Sequence, residues 1–432
     1  METREELEAT FRQHVLDLER RAMASIESLG FDRLLILAGP AKAKSAHDDQ
    51  DYTFVATPAY AHFAPAPVPG AAVILGEGRR RLFLPHEESF WERPEPPDLD
   101  LLGSVYEIIP ARLPSDAAGF VGPRTAVVSH DVAPFEVPAL NMNPLSVREA
   151  LDELRVKKSP YELEALRQAS RRAALGHVAV KDAFLGGETS ELALHLLYLS
   201  ATQQDDADTP YKNIVAVNEH AAILHHVVYR RSKVDGARSV LLDAGATQAG
   251  YGSDITRTWA KSAGPFAELV ARMAQLQDEV IARIEVGKMY EALHDEAHEL
   301  LAGALIDTGL YRGSADSAVE LGVTRAFLPH GLGHSLGISV HDVGCKKTQP
   351  RPENKYLRNT REIEAEQVFT IEPGLYFIDS LLGALRSEAN GREVNWVLVD
   401  RLRSAGGIRI EDNIHVLERG VENLTRPHLA NV

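Results

Sequence analysis

LPHGLGHSLGISVHDVG spans residues 328–344 and sets His330, His334 and His341 at steps of four and seven among Gly331, Gly333, Gly337 and Gly344. A packed core has no use for such an arrangement. Imidazoles are the usual proton carriers and metal ligands near neutral pH. Glycine lets the backbone come close to a ligand or adopt φ > 0. The stretch reads as a reaction site, and its meaning depends on the acids elsewhere in the C-terminal half.

Four apolar, strand-like segments each deliver a carboxylate: Val240-Leu-Leu-Asp243, Gly252-Ser-Asp254-Ile-Thr, Phe369-Thr-Ile-Glu372-Pro-Gly and Gly407-Ile-Arg409-Ile-Glu411. Asp254 follows Asp243 by eleven residues, a spacing that suits a hairpin with its strands side by side. Taken singly, either aspartate reads as a strand-end cap, Glu372 as a turn residue and His334 as a structural histidine. Together they read as a metal site, because buried carboxylates are costly unless paired or coordinated. With His334 they would hold two divalent cations, four negative charges against four positive. One nitrogen among many oxygens, with no thiolate, favours Mn²⁺, with Co²⁺ or Zn²⁺ as alternatives. Two ions roughly 3.5–4 Å apart share a water, lower its pKa and poise a hydroxide over a carbonyl, which is hydrolase chemistry. His330 and His341 remain as hydrogen-bond donors or proton carriers.

Outward from this centre, Ser159-Pro160-Tyr161-Glu162 forms a capping box with proline at the first helical position and predicts a helix start. A domain boundary near 150–158 follows, giving an N-terminal α/β domain over 1–152 and a mixed α+β catalytic domain over 153–432. The first domain reads as a helix over 3–28, with Leu7, Phe11, Val15, Leu18, Ala22 and Ile26 on one face, stopped by Gly30. Strands follow at 34–38, 71–75, 82–84, 106–109 and 125–128, with Pro-rich connectors such as Pro65–Gly70 and Pro94–Pro97 between them. A charged helix covers about 147–157. The acidic patch Asp48, Asp49, Asp51 reads as a solvated loop or interface. In the second domain the pattern predicts helices over 160–184, 190–203, 264–287 and 290–308. It predicts strands over 213–218, 239–243, 251–260, 368–371, 374–378, 396–399 and 408–410.

Composition bounds the function. The 432 residues suggest two or three domains. An apolar fraction of 44% with 25% charged residues is that of a globular protein. A formal charge of −16 argues against nucleic acid as a partner. No apolar run approaches about 20 residues, which argues against a membrane span. The single Cys345 fits a reducing compartment, and the early acids Glu2, Glu5, Glu6 and Glu8 are unlike a targeting signal. The expectation is a cytoplasmic protein.

Four motifs, LDAGATQAGYGSDITRTWA (242–260), LPHGLGHSLGISVHDVG (328–344), TIEPGLYF (370–377) and GGIRIEDNI (406–414), resemble the pita-bread metallopeptidase family, which includes prolidase, aminopeptidase P and methionyl aminopeptidase. The resemblance covers 155–420 and implies an N-terminal α/β domain, for dimerisation and substrate access, followed by a pita-bread catalytic domain. It implies five metal ligands: Asp254 and Glu411 bridging two ions, Asp243 completing one set, His334 and Glu372 the other, with Glu372 also the general base. NIVAVNEHAAILHH (213–226) is similar to the family's histidine-bearing strand, which sets His225 beside the substrate. His341 matches the second substrate-side histidine. Arg358 matches the arginine assigned in prolidases to the substrate's C-terminal carboxylate, a bidentate pairing that a free C-terminus demands. His330 and Arg409 belong to the same substrate side, Arg409 chiefly supporting the metal ligands.

DDQDYTFVATP (48–58) resembles the bacterial Xaa-Pro dipeptidases, a group that includes enzymes hydrolysing organophosphorus esters. One departure concerns the residue after His225, commonly tyrosine in the family and here His226. If that tyrosine holds a ligand aspartate or the substrate, metal affinity changes. The implied activity is hydrolysis of Xaa-Pro dipeptides, in which the scissile nitrogen has no N–H to donate. The alternative is an aminopeptidase P acting on longer peptides, separable by Gly-Pro against Gly-Pro-Gly. A catalytically dead binding protein needs a lost ligand, and none is lost. Metal-free, creatinase-like C–N hydrolysis is disfavoured by the intact carboxylates. The expected partners are a small peptide and a second copy of the chain.

Overall fold

In the computed structural model, which describes residues 4–86, 91, 95–112, 114–130 and 133–429, helix α1 (Arg4–Ser28) turns Phe11, Val15, Leu18, Ala22 and Ile26 inward. Gly30, at φ 91°, ends it. Glu2, Thr3 and Pro94 of the sequence reading lie outside the described residues. Residues 1–163 and 164–432 form two compact units.

In the first unit β1 (Arg33–Leu37), α2 (Pro58–Phe63), β2 (Ala72–Gly76), β3 (Arg79–Pro85), α3 (Leu99–Gly103), β4 (Glu107–Ala111), β5 (Thr125–Val128) and α4 (Leu145–Leu154) follow. The sheet runs β4-β3-β2-β1-β5, with β1–β2–β3 antiparallel and the two outer pairs parallel. Leu35, Leu37, Ile74, Phe83 and Val127 form its core on one face, each contributing about 1.5–3 kcal/mol by leaving water. Asp48, Asp49 and Asp51 are exposed. The capping box forms as its residues require: Glu162 Oε2 accepts from the Ser159 amide at 2.8 Å, and Ser159 Oγ from the Glu162 amide at 3.4 Å. It opens α5 (Pro160–Gly186).

The second unit continues with α6 (Glu191–Thr202), β6 (Ile214–Val217), β7 (Ser239–Asp243), β8 (Thr247–Gln248), β9 (Tyr251–Gly252), β10 (Thr256–Ala260), α7 (Pro265–Ile281) and α8 (Tyr290–Asp307). After α9 (Ala315–Glu320) and α10 (Val323–Phe327) come β11 (Val368–Ile371), β12 (Gly374–Tyr376), α11 (Asp379–Ser387), α12 (Trp396–Leu402), β13 (Gly407–Arg409), β14 (Asp412–Val416) and β15 (Val421–Asn423). Four small antiparallel sheets result among the described residues: β10-β7-β6, β11-β14-β15, β12-β13 and β8-β9. The apolar stripes of α7 (Leu269, Met273, Leu276, Val280) and α8 (Leu293, Ala297, Leu301, Leu305) pack with Phe369, Ile371, Ile408 and Ile414 into one core. Among the described residues no helix is long and apolar enough to cross a membrane.

Two expected strands differ. The run 251–260 is interrupted at Ser253–Ile255, and Asp254 sits in the gap. The run 396–399 is helical: Asn395 caps α12 by accepting from the Leu398 amide, Val399 and Leu402 are buried three apart, and Val397 is 82% exposed. An alternating strand would have spaced burial by two, so the side-chain cap and a helical apolar face outweigh the β-propensity of Trp-Val-Leu-Val.

Candidate active site

Register brings the acids together. Antiparallel β7–β10 pairs Asp243 with Thr256, so Asp254 lies just beyond the end of β10, next to Asp243. Antiparallel β11–β14 pairs Ile371 with Asp412, so Glu372 and Glu411 emerge side by side at the same end. A single bridge from Thr256 to Glu411 joins the two sheets. The His-Gly loop runs along β11 through three backbone bonds: Leu336 amide to Val368 carbonyl (3.0 Å), Thr370 amide to His334 carbonyl (2.9 Å) and Glu372 amide to Leu332 carbonyl (2.8 Å). Gly333 is required there, since a Cβ would lie 2.0 Å from the Thr370 carbonyl oxygen.

All ten residues singled out from the sequence, namely Asp243, Asp254, His334, Glu372, Glu411, His225, His330, His341, Arg358 and Arg409, line one cavity of about 490 Å³ within the second unit. Donor atoms of Asp254, His334 and Glu411 lie within 4.8 Å of one another. His334 Nε2 is 3.4 Å from Asp254 Oδ2 and 3.8 Å from Glu372 Oε1. The His341 ring packs edge-on against His334 at 4.3 Å between centroids. Arg358 is exposed at the cavity and makes no ion pair among the described residues.

Three residues that sequence reasoning did not single out brace the site, two of them directly on the acids. Tyr211 OH lies 2.7 Å from Asp243 Oδ1 and 2.6 Å from Asp254 Oδ1, one hydroxyl between two carboxylates. Thr256 Oγ1 donates to Glu411 Oε2 at 2.7 Å. Tyr376 OH accepts from Arg409 Nη1 at 2.9 Å and faces His330 Nε2 at 2.8 Å. Thr256 and Tyr376 stand inside the quoted motifs, where their donor role was open to notice. Tyr211, 32 residues before Asp243, carried no local signal. Arg409 is buried, with Nη2 on Asp243 at 2.6 Å and Nε on Thr256 at 3.2 Å. All three of its nitrogens serve protein groups, which supports the ligand-holding reading over substrate contact. His226 turns away from the aspartates and bonds Glu191 at 3.0 Å. The family tyrosine's absence at 226 therefore leaves the aspartates' support intact, because Tyr211 supplies it.

The electrostatics favour cations. Burial, then repulsion from Asp254, Glu372 and Asp243, holds the Glu411 carboxyl well above its ordinary value. Burial, with the charges of Asp254 and Asp243, lifts Glu372 to about 7 against the pull of His334 and Arg409. Burial and Asp254 also raise Asp243. Burial would raise Asp254 too, but hydrogen bonds and charge from His334, with Tyr211, hold it low. A site that resists carrying its own negative charge gains by taking up positive ions. The donor set fits them. His334 Nδ1 lies 3.1 Å from the Ser335 carbonyl and donates its proton there. Nε2, which faces Asp254 at 3.4 Å, is therefore the ring nitrogen free to ligate an ion once it gives up the proton it shares with that acid. His330 is neutral, pushed down to about 3 by burial and Arg409. Its Nδ1 donates to the Gly331 carbonyl at 2.8 Å, so Nε2 accepts from Tyr376.

The description "Metallopeptidase family M24" matches residues 164–418, and "Xaa-Pro dipeptidase, N-terminal domain" matches 9–152. The chain belongs to metallopeptidase family M24. Its relatives include a Xaa-Pro dipeptidase of Aeromonas hydrophila, 39% identical over 431 residues that cover 96% of this chain and 98% of the relative. Another is a Xaa-Pro dipeptidase of Marinobacter nauticus, 40% identical over 422 residues and 96% of each chain. Among solved structures, Zn-substituted E. coli aminopeptidase P in complex with product superposes with a TM-score of 0.73 at 24% identity, covering 96% of this chain and 95% of that one. The same enzyme with the inhibitor Pro-Leu gives 0.73 at 23%. The α+β architecture, an N-terminal α/β domain followed by a pita-bread catalytic domain, is that of this M24 family. As a metallopeptidase it is a divalent-metal hydrolase acting on small peptides. Within the M24 chain the five acid and imidazole side chains converge in one cavity, and His225, His330, His341 and Arg358 share its wall.

Proposed function

We propose that this chain is a metal-dependent Xaa-Pro dipeptidase (prolidase), with Asp243, Asp254, His334, Glu372 and Glu411 as ligands of two divalent ions. The carrying observation is the convergence of those five donors with Arg358 around one cavity of about 490 Å³, a volume in the range of small-ligand pockets. The Xaa-Pro dipeptidase names of full-length relatives support it. When bound, the ion pair polarises the scissile carbonyl and acidifies a water. The protein's own groups do the rest. Arg358 pairs with the C-terminal carboxylate of the dipeptide and sets the register of the bond to be cut. Glu372 accepts the water's proton and returns one to the departing proline nitrogen, which must gain a proton to leave as a secondary amine. His225 and His341 donate hydrogen bonds to the oxygen that gains charge as the carbonyl is attacked. Tyr211, Thr256 and Arg409 keep the acids oriented throughout. Mn²⁺ is the metal that the oxygen-rich donor set favours. The single, buried Cys345 suits a cytoplasmic setting, and the family resemblance carries a homodimer.

Chelated protein assayed on Ala-Pro before and after Mn²⁺ restoration, beside Gly-Pro and Gly-Pro-Gly, tests this reading. Restored cleavage of both dipeptides with the tripeptide left intact is the expected result. Cleavage of Gly-Pro-Gly at its first bond transfers the chain to the aminopeptidase P reading, and full activity after chelation removes the metal mechanism.

A further inference from the structure

Glu191, in the first turn of α6, has a side chain that is 0% exposed, and four donors converge on it. Oε1 accepts from the Val217 amide at 2.9 Å and from His220 Nδ1 at 2.7 Å. Oε2 accepts from the Arg230 amide at 2.7 Å and from His226 Nε2 at 3.0 Å. Val217 ends β6, and Arg230 closes the excursion that follows it. The chain between them forms a 3₁₀ turn, Asn218–Ala222, then the loop that brings Leu224 and His225 to the catalytic cavity.

Glu191, His220 and His226 are close enough to suggest a cation site, but the proton inventory excludes it. Each oxygen takes one backbone N–H and one imidazole nitrogen, and a ring facing an accepting carboxylate presents its proton, not its lone pair. The two rings pack against each other instead, tilted by 41° with 4.1 Å between centroids. The start of the excursion is fixed from another side. A Cβ at Gly406 would lie 2.1 Å from the Asn218 carbonyl oxygen, so the 3₁₀ turn rests directly on the backbone leading into β13. Between these anchors the excursion is open to solvent, with Ile223 51% and Val228 77% exposed.

We infer that Glu191 is a positioning residue whose buried carboxylate staples both ends of the 217–230 excursion and thereby fixes His225 in the catalytic cavity. The inference rests on the reading of His225 as a substrate-side group. The staple requires an anion. Whichever way a glutamine were turned at 191, its NH₂ would confront one backbone N–H and one imidazole N–H, so one end must open. Aspartate is one methylene too short to reach both ends.

The test uses the full-length, metal-loaded chain and two readouts, amide hydrogen exchange and Ala-Pro hydrolysis. In Glu191→Gln, exchange over 217–230 accelerates at least hundredfold, while α7 and α8 and the metal content match the parent. The kcat/KM for Ala-Pro falls at least tenfold. In a His225→Ala background the same change costs less than twofold, because the group being positioned is gone. A merely structural role would instead give losses that multiply. Should Glu191→Gln fail to fold, His226→Phe keeps an aromatic ring against His220 and deletes one donor, with about a threefold loss and the same non-additivity. Unchanged exchange over 217–230, or multiplying losses, overturns the inference. A parent protein without Xaa-Pro hydrolysis overturns the functional reading instead, and the exchange data alone then decide the staple.

Discussion

Replacing Arg358 by alanine removes the one cavity-lining cation that no other protein group engages among the described residues. A hydrogen bond to a charged group contributes about 1.5–3 kcal/mol, and a guanidinium can offer a carboxylate two. Arg358 is exposed, so water recovers part of what the substrate carboxylate loses, and about 2–3 kcal/mol should remain. That is roughly 30–150-fold in kcat/KM at about 1.4 kcal/mol per decade. The same free energy can be read in a second way. Ala-Pro-amide lacks the charged carboxylate, so the parent enzyme should already process it worse than Ala-Pro by a comparable factor. Arg358→Ala should then barely affect the amide. Steady-state kinetics on both substrates with both proteins closes a cycle whose coupling isolates the ion pair. An equal loss on dipeptide and amide would mean Arg358 supports the fold or the metal site, and the carboxylate assignment would have to be withdrawn.

Other outcomes follow from the geometry. Tyr211→Phe removes the hydroxyl between Asp243 and Asp254 and should weaken Mn²⁺ binding roughly 10–100-fold in calorimetric titration; an unchanged Kd would show the hydroxyl to be a bystander. Gly333→Ala drives a Cβ into the Thr370 carbonyl and strains three backbone bonds to β11, costing about 3 kcal/mol in urea unfolding, with metal stoichiometry below two because His334 and Glu372 separate. His177 is buried against the Ala244 carbonyl at 3.0 Å, and burial lowers its pKa to about 3. The unfolded chain binds that proton from about pH 6.5 downward, so the stability is present above 6.5 and is lost as pH falls toward 3. At pH 5 the linkage amounts to about 2 kcal/mol, and His177→Gln should flatten the difference between urea midpoints at pH 7 and pH 5 by that amount; an unaltered difference refutes it.

Much of this architecture is legible in the chain itself. The capping box at 159–162, the apolar face of the 25-residue helix α1 and the alternation of helices and strands are local patterns, set by backbone hydrogen bonding and side-chain period. The proposed ligand residues are legible for the same reason: each acid terminates an apolar run, and the His-Gly loop announces a close backbone approach that Gly333 then makes against Thr370. The strand expected at 396–399 failed because β-branched propensity is a weaker signal than a side-chain cap, which Asn395 supplies locally, and a buried helical stripe, which depends on neighbours far away in sequence.

From the sequence alone came the set of proposed metal-binding donors, since metal chemistry selects residue types and spacing that form short motifs. Only the tertiary structure decided what holds those donors still. Arg409 reaches Asp243 across 166 positions, Thr256 reaches Glu411 across 155, and Tyr211 spans two aspartates from outside every motif. Such partners are chosen by packing in three dimensions, where a tyrosine or threonine carries no signature until the fold places an acceptor opposite its hydroxyl.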